Sequence, residues 1–267
     1  MDRSPWPVTE EELAAVQQDL AGEAGAARAE RPWTLPPDLL VGGCFVAFAR
    51  GEAGPGHPGD RAWAAAVAWR PVSAPVRRDG APYRRIDRAL AGSERLETPR
   101  QAADVVAQAV VGDRVPAAYT PGLLALREGP ILAAAVGLLE LAPDVLLVDA
   151  TGLDHPRRAG LAVHLGAVTG LPTVGVTART LAARGAPPPP GRRGAASPVT
   201  LDGDVVGYWV CTRTGAKPVL AHAGWRTDAA TAAAVVLAAS TEGARAPVPL
   251  QEARRAAREA RDLAGAG

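Results

Sequence analysis

The sequence is short of several residue types, and each shortage narrows the reading. It has two cysteines, Cys44 and Cys211, both inside apolar stretches. That supports neither a disulfide framework nor a zinc cluster, so both thiols are expected as small buried hydrophobes in a reducing compartment. Lysine is nearly absent: Lys217 is the only one, and arginine carries the positive charge. Together with the many Ala, Gly and Pro residues, this is read as the compositional bias of a GC-rich genome, not a special use of guanidinium chemistry. An excess of one charge sign is also lacking. The formal net charge is +1, which makes no global case for a polyanionic partner but leaves room for a local basic patch. No uncharged apolar run is long enough to span a membrane, and Met1 to Pro7 lacks the basic-then-apolar order of a secretory signal. The expectation is a soluble cytoplasmic protein with no membrane partner. What the chain does have is apolar content: 48% hydrophobic against 21% charged over 267 residues. That allows a substantial core and suits a single domain over residues 1–267.

Thr9-Glu10-Glu11-Glu12 has the form of a capping box and predicts a helix that ends near Gly22 to Gly25. The apolar runs Leu39–Ala49 and Ala62–Trp69, joined by a Gly/Pro-rich link, predict a hairpin with a long loop. Residues 71–98 are Arg-rich with poor periodicity and read as an insertion. A strand follows at Val105–Val111. Then come a helix over Leu123–Leu141, a buried strand over Asp144–Asp149, a helix over Arg157–Thr169 and a strand over Pro172–Val176. Strands alternating with helices imply parallel pairing through right-handed crossovers, and so an α/β fold. Residues 185–196 read as a Pro/Gly-rich surface loop. Val199–Leu220 holds two or three strands, and helices close the chain at Asp228–Ala239 and Gln251–Leu263.

Several residues could carry chemistry. Asp149 ends an apolar strand, the place where sites form in open α/β sheets, and a carboxylate there can hold a divalent ion. Glu128 sits among leucines, where an unpaired acid is costly to bury, and Arg127 does not share its helical face. His155 precedes a predicted helix that Arg157 and Arg158 begin, and together they could grip a phosphate. Tyr119 and Pro121 lie in a rigid turn, and an inserted aromatic of that kind can prop nucleic-acid strands apart. Each also has an ordinary structural reading as a cap, a solvated acid, a surface cation or a packed ring.

Taken in order, these motifs resemble the endonuclease V family. The resemblance rests on Tyr119-Thr-Pro-Gly-Leu-Leu-Ala-Leu-Arg-Glu128, Val148-Asp-Ala-Thr-Gly-Leu-Asp-His-Pro-Arg-Arg158, Gly160-Leu-Ala-Val-His-Leu-Gly166, Leu171-Pro-Thr-Val-Gly-Val176 and Thr212-Arg-Thr-Gly-Ala-Lys-Pro-Val219. It implies a ribonuclease H-like fold, a mixed central sheet flanked by helices. It also implies a Mg²⁺ or Mn²⁺ site of three carboxylates that cuts a phosphodiester beside a deaminated purine, mainly inosine. Glu128 and Asp149 match two of those ligands, and Tyr119 matches the strand-separating wedge.

The resemblance also marks departures. Phe45 stands where the family has its third metal-binding aspartate. Ala178 stands at its lysine, with Arg179 adjacent, and Trp225 at its histidine. Asp154 is a candidate substitute metal ligand, with Glu52 and Asp60 weaker ones, and His222 a candidate substitute for the histidine. Three expectations follow. The chain is a diverged homologue that keeps nucleic acid as its partner, with cleavage lost or weakened and a metal cofactor needed only if activity survives. Or it is an active Mg²⁺-dependent nuclease using Asp154. Or it is a repurposed enzyme for a nucleoside or other small molecule, with Phe45 and Trp225 as an aromatic wall.

Overall fold

The two apolar runs near the start pair as expected. β1 (Val41–Phe48) and β2 (Arg61–Trp69) are antiparallel, with Val41 opposite Trp69 and Phe48 opposite Ala62. β2 shows no alternation because both of its faces are covered: Ala62 to Trp69 are all buried. The computed structural model describes residues 6–30, 33–50, 56–70, 94–95, 104–189 and 191–265. The predicted 71–98 insertion therefore lies outside the described residues, except for β3 (Glu94–Arg95), which pairs with β4 (Val105–Arg114).

The middle of the chain follows the alternation read from the sequence. α2 (Leu124–Gly137), β5 (Val145–Val148), α3 (Leu161–Thr169) and β6 (Thr173–Thr177) come in turn, and β5 lies parallel to both β1 and β6. Three antiparallel strands complete the sheet: β7 (Ala196–Leu201), β8 (Asp204–Val210) and β9 (Val219–Ala223). The order is β3-β4-β2-β1-β5-β6-β9-β8-β7, one mixed sheet. α1 (Glu10–Glu30), α2 and α3 pack on one face of the sheet, and α4 (Ala229–Ala238) and α5 (Val248–Gly265) on the other. Each face has its own core. Cys44, Leu146 and Val148 point to the first, and Val41, Val145 and Leu147 to the second. Both cysteines are buried and free. Among the described residues no helix is long and apolar enough to cross a membrane.

Of the boundaries that differ from the sequence reading, three have a clear physical cause. The capping box forms, with the Glu12 amide donating to Thr9 Oγ1 at 3.1 Å and the Thr9 amide to Glu12 Oε2 at 3.3 Å. The helix it starts, however, runs through Gly22 and Gly25 to Glu30. Each glycine costs about 1 kcal/mol of propensity, and the burial of Leu13, Leu20 and Ala24 outweighs that. α3 starts at Leu161 and not Arg157, because Arg158 takes a left-handed φ of 51° and Gly160 is the N-cap. α5 starts at Val248, with Pro249 in its first turn, where proline's missing N–H is harmless. α5 lies tightly on β1 because Gly43 has no side chain; a Cβ there would run into the Pro249 backbone.

Candidate functional site

The register of β1 and β5 decides what meets at the sheet's carboxyl end. Cys44 pairs with Val148. The next residues, Phe45 and Asp149, therefore lie side by side, and side-chain alternation turns both towards α5. Glu128 approaches from α2 on the opposite face. These three line one cavity of 830 Å³, together with Tyr119, Pro121, His155, Ala178 and Arg179. Gln17 of α1 and Thr177 of β6 also contribute to its wall.

The two acids are close enough to repel. Glu128 is pushed up to about 8, first by burial and then by Asp149, with Arg127 pulling the other way. The Cys44 thiol beneath them is raised by burial, Asp149 and Glu128, so it stays protonated and inert. Arg127 is spent elsewhere: it is buried and bonds Asp60 at 2.8 Å, which takes Asp60 out of consideration as a ligand. Glu52 lies outside the described residues. Asp149 is paired by a residue the sequence reading missed. Arg254 Nη2 donates to Asp149 Oδ2 at 2.9 Å, and its guanidinium lies 4.8 Å from the centre of the Phe45 ring.

Several expected site residues have other partners. Asp154 is not in the cavity. It is fully buried and accepts from the backbone amides of Leu181 (2.9 Å), Ala182 (2.7 Å) and Ala183 (2.6 Å). A carboxylate committed to three amides cannot also face a metal in the pocket, so the substitute-ligand expectation is corrected. His222 is buried behind Asp154, bonds Thr177 Oγ1 at 2.7 Å and is pulled down to about 4 by burial. Its Nδ1 lies 3.6 Å from Asp154 Oδ2, too far for a hydrogen bond, and the neutral ring makes no ion pair.

Arg158 is held by Asp204 (2.8 Å), Asp202 (3.2 Å) and the Leu201 carbonyl. Arg157 Nε bonds Gln17 at 2.7 Å. These arginines thus fasten the β7–β8 turn and α1, and neither stands at a helix N-terminus. Trp225 lies away from the cavity, packed over Gly166 and bonded through its backbone to Thr173. The expected aromatic wall is therefore Phe45 alone.

The remaining expected residues do meet the cavity. Tyr119 is 42% exposed at its edge. His155 accepts from the Arg157 amide at Nδ1 (3.1 Å), so Nε2 carries the hydrogen and donates to the Gly122 carbonyl (2.9 Å). That neutral ring, lowered by burial, ties the Tyr119–Gly122 turn to the Asp154–Arg157 turn. Arg179 is exposed, and its guanidinium makes no bond among the described residues.

Residues 87–255 match the family model for endonuclease V. An endonuclease V of Streptomyces avermitilis is 36% identical over 237 residues, covering 87% of this chain and 84% of the relative. The chain belongs to the endonuclease V family. A Nocardia farcinica endonuclease V is 47% identical over a shorter stretch, 56% of this chain and 65% of its own length. The crystal structure of the Streptomyces avermitilis enzyme superposes with a TM-score of 0.74 at 33% identity, covering 97% of this chain and 96% of that one. The catalytic domain of human endonuclease V gives 0.71 at 26% identity, covering 96% and 99%. The architecture is the family's ribonuclease H-like fold.

The family resemblance implies a divalent metal, and the residues present do not fit one. A hard cation of that kind takes six or more oxygens, and its affinity depends on the charge supplied. Here two carboxylates face the cavity, one of them already carries an arginine, and Phe45 offers no ligand. Among the described residues no group of three or more His, Cys, Asp or Glu side chains is placed to hold an ion.

Proposed function

We propose that this protein is a diverged endonuclease V homologue that binds nucleic acid through this pocket and has lost, or greatly weakened, metal-dependent cleavage. The observation that carries the reading is Phe45 beside Asp149, at the position where the family resemblance calls for a third carboxylate. Nucleic acid remains the partner of choice because the wedge tyrosine persists, Tyr119 at the cavity edge, and the cavity also carries an exposed cation, Arg179, whose guanidinium makes no bond among the described residues. Relatives support that choice. A Ciona intestinalis endonuclease V, 20% identical, was crystallised with DNA containing an inosine. One domain over 1–267, with 71–98 as an insertion and 185–196 as a surface loop, remains the proposed organisation. The protein is proposed to work in the cytoplasm.

A second reading has one observation in its favour. A cavity of 830 Å³ with Phe45 in its wall is large enough for a nucleoside, as ligand pockets generally run from about 300 to 1,000 Å³. Fluorescence anisotropy with an inosine-containing oligonucleotide and its adenosine counterpart separates the two. The nucleic-acid reading expects tighter binding of the inosine strand, weakened about tenfold by Tyr119→Ala, in line with ~1–3 kcal/mol per stacked base. Equal, weak binding of both strands, with no effect of Tyr119→Ala, would refute it.

A further inference from the structure

α5 carries its arginines in two different states. Arg255 is neutralised within the helix by Glu252 at 2.9 Å and Glu259 at 3.1 Å. Arg254 and Arg258, one turn apart, are not. Both lie over the Phe45 ring, at 4.8 and 5.9 Å from its centre. Arg254 makes a single hydrogen bond, to Asp149, and its Nε is buried without a partner. Arg258 makes no hydrogen bond or ion pair among the described residues, its stacking on Phe45 aside. Two like charges at i and i+4 repel, and the acid one turn further on, Asp262, is held by Arg50 at 2.8 Å and Arg261 at 2.9 Å. Beside them is a shallow depression on the α5 side of Asp149, whose lining includes Gln251, Arg254, Arg255, Arg258, Glu259 and Asp262.

We infer that Arg254 is the site's own cation, standing against Asp149 in place of a divalent ion and, with Arg258, taking the phosphate of a bound strand directly. The chemistry is coherent. Phe45 has the flat face on which a guanidinium stacks, where an aspartate would have drawn in a metal. Arginine stays charged at any working pH and presents paired N–H groups that match phosphate oxygens. One N–H of Arg254 is used on Asp149, which fixes the side chain and leaves the remaining Nη N–H groups for a ligand. The metal part of the inference stands alone; the phosphate part rests on the nucleic-acid reading above.

The test has two arms on the full chain. In the first, Mn²⁺ is titrated into wild type, Arg254→Gln and Phe45→Asp/Arg254→Gln, and free Mn²⁺ is read by electron paramagnetic resonance. Arg254 is 38% exposed, so the glutamine variant is expected to fold, and circular dichroism checks it. Wild type is expected to leave Mn²⁺ free, Arg254→Gln to bind it weakly, and the double variant to bind at least about tenfold more tightly, following carboxylate count. Wild type binding Mn²⁺ as well as Arg254→Gln does would overturn the inference.

In the second arm, a short inosine-containing strand is bound in EDTA and in Mn²⁺, with inorganic phosphate as competitor. Wild type should bind equally in both. Arg254→Gln and Arg258→Gln should each weaken binding and lower the salt slope by about one. Competition by phosphate at concentrations near those of the strand would point to a free anion as the ligand instead, and overturn the strand assignment. Loss of wild-type binding in EDTA would overturn the direct-phosphate claim. If no strand binds under any condition, the nucleic-acid reading fails while the Mn²⁺ arm still decides Arg254. If strands bind but wild type holds Mn²⁺, the assignment of Arg254 fails alone.

Discussion

In metal-free buffer, Glu128→Gln is expected to gain stability over wild type as pH rises, by on the order of 2 kcal/mol between pH 5 and pH 8. Glu128 is raised from the ordinary glutamate value of 4.5 to about 8 in the folded protein. Between those values the native state holds a proton that the unfolded chain has released, so stability falls with rising pH and levels off above about 8. The full linkage would be larger, but Glu128 opens onto the cavity on one side and solvent screens part of the repulsion. The histidines act in the opposite sense. His222, lowered from 6.5 to about 4, contributes stability that is present above 6.5 and lost as pH falls through 4. That contribution is common to variant and wild type, so it cancels in the difference. Urea midpoints at each pH give the measurement. A difference that does not change with pH would mean Glu128 is ionised like a surface acid.

Asp154→Ala is expected to be the most destabilising single change near the site, by about 3 kcal/mol, because it strands one buried and two part-buried amide donors, and an unpaired buried donor costs ~1–3 kcal/mol. Its carboxylate holds the amides of Leu181, Ala182 and Ala183. The same segment carries Arg179 and Thr180 into the cavity wall. Hydrogen exchange should therefore show those three amides losing protection, and Asp154→Asn should be milder because its one carbonyl oxygen still accepts. A variant as stable as wild type, with the three amides still protected, would contradict this structural role and reopen Asp154 as a free ligand.

These two acids show where sequence reading succeeded and where it stopped. The sheet and its helices were legible because apolar runs of the right length state the secondary structure directly. Glu128 and Asp149 were legible because an acid at the end of a buried strand, or among leucines, is anomalous by itself. Asp154 was misread because its partners are 27 to 29 residues away and are backbone amides, which carry no residue signature. Arg158 was misread for a similar reason: its left-handed φ and its grip on Asp202 and Asp204 come from the β7–β8 turn. Trp225 was placed at the site by motif order, yet the backbone turns it towards Gly166 and Thr173. Arg254 gave no signal at all. On a helix crowded with Arg and Glu it looks like any solvated cation, and only the close seating of α5 on Gly43 brings it to Asp149, 105 residues earlier.

On the proposed reading, Phe45 and Arg254 have displaced metal chemistry from a pocket that still presents Glu128, Asp149 and Tyr119. The direct measurement is nicking of an inosine-containing duplex at micromolar protein across a Mg²⁺ and Mn²⁺ titration. No cleavage above a buffer blank is expected at any metal concentration. Metal-dependent nicking beside the inosine, abolished by Asp149→Asn, would contradict that reading.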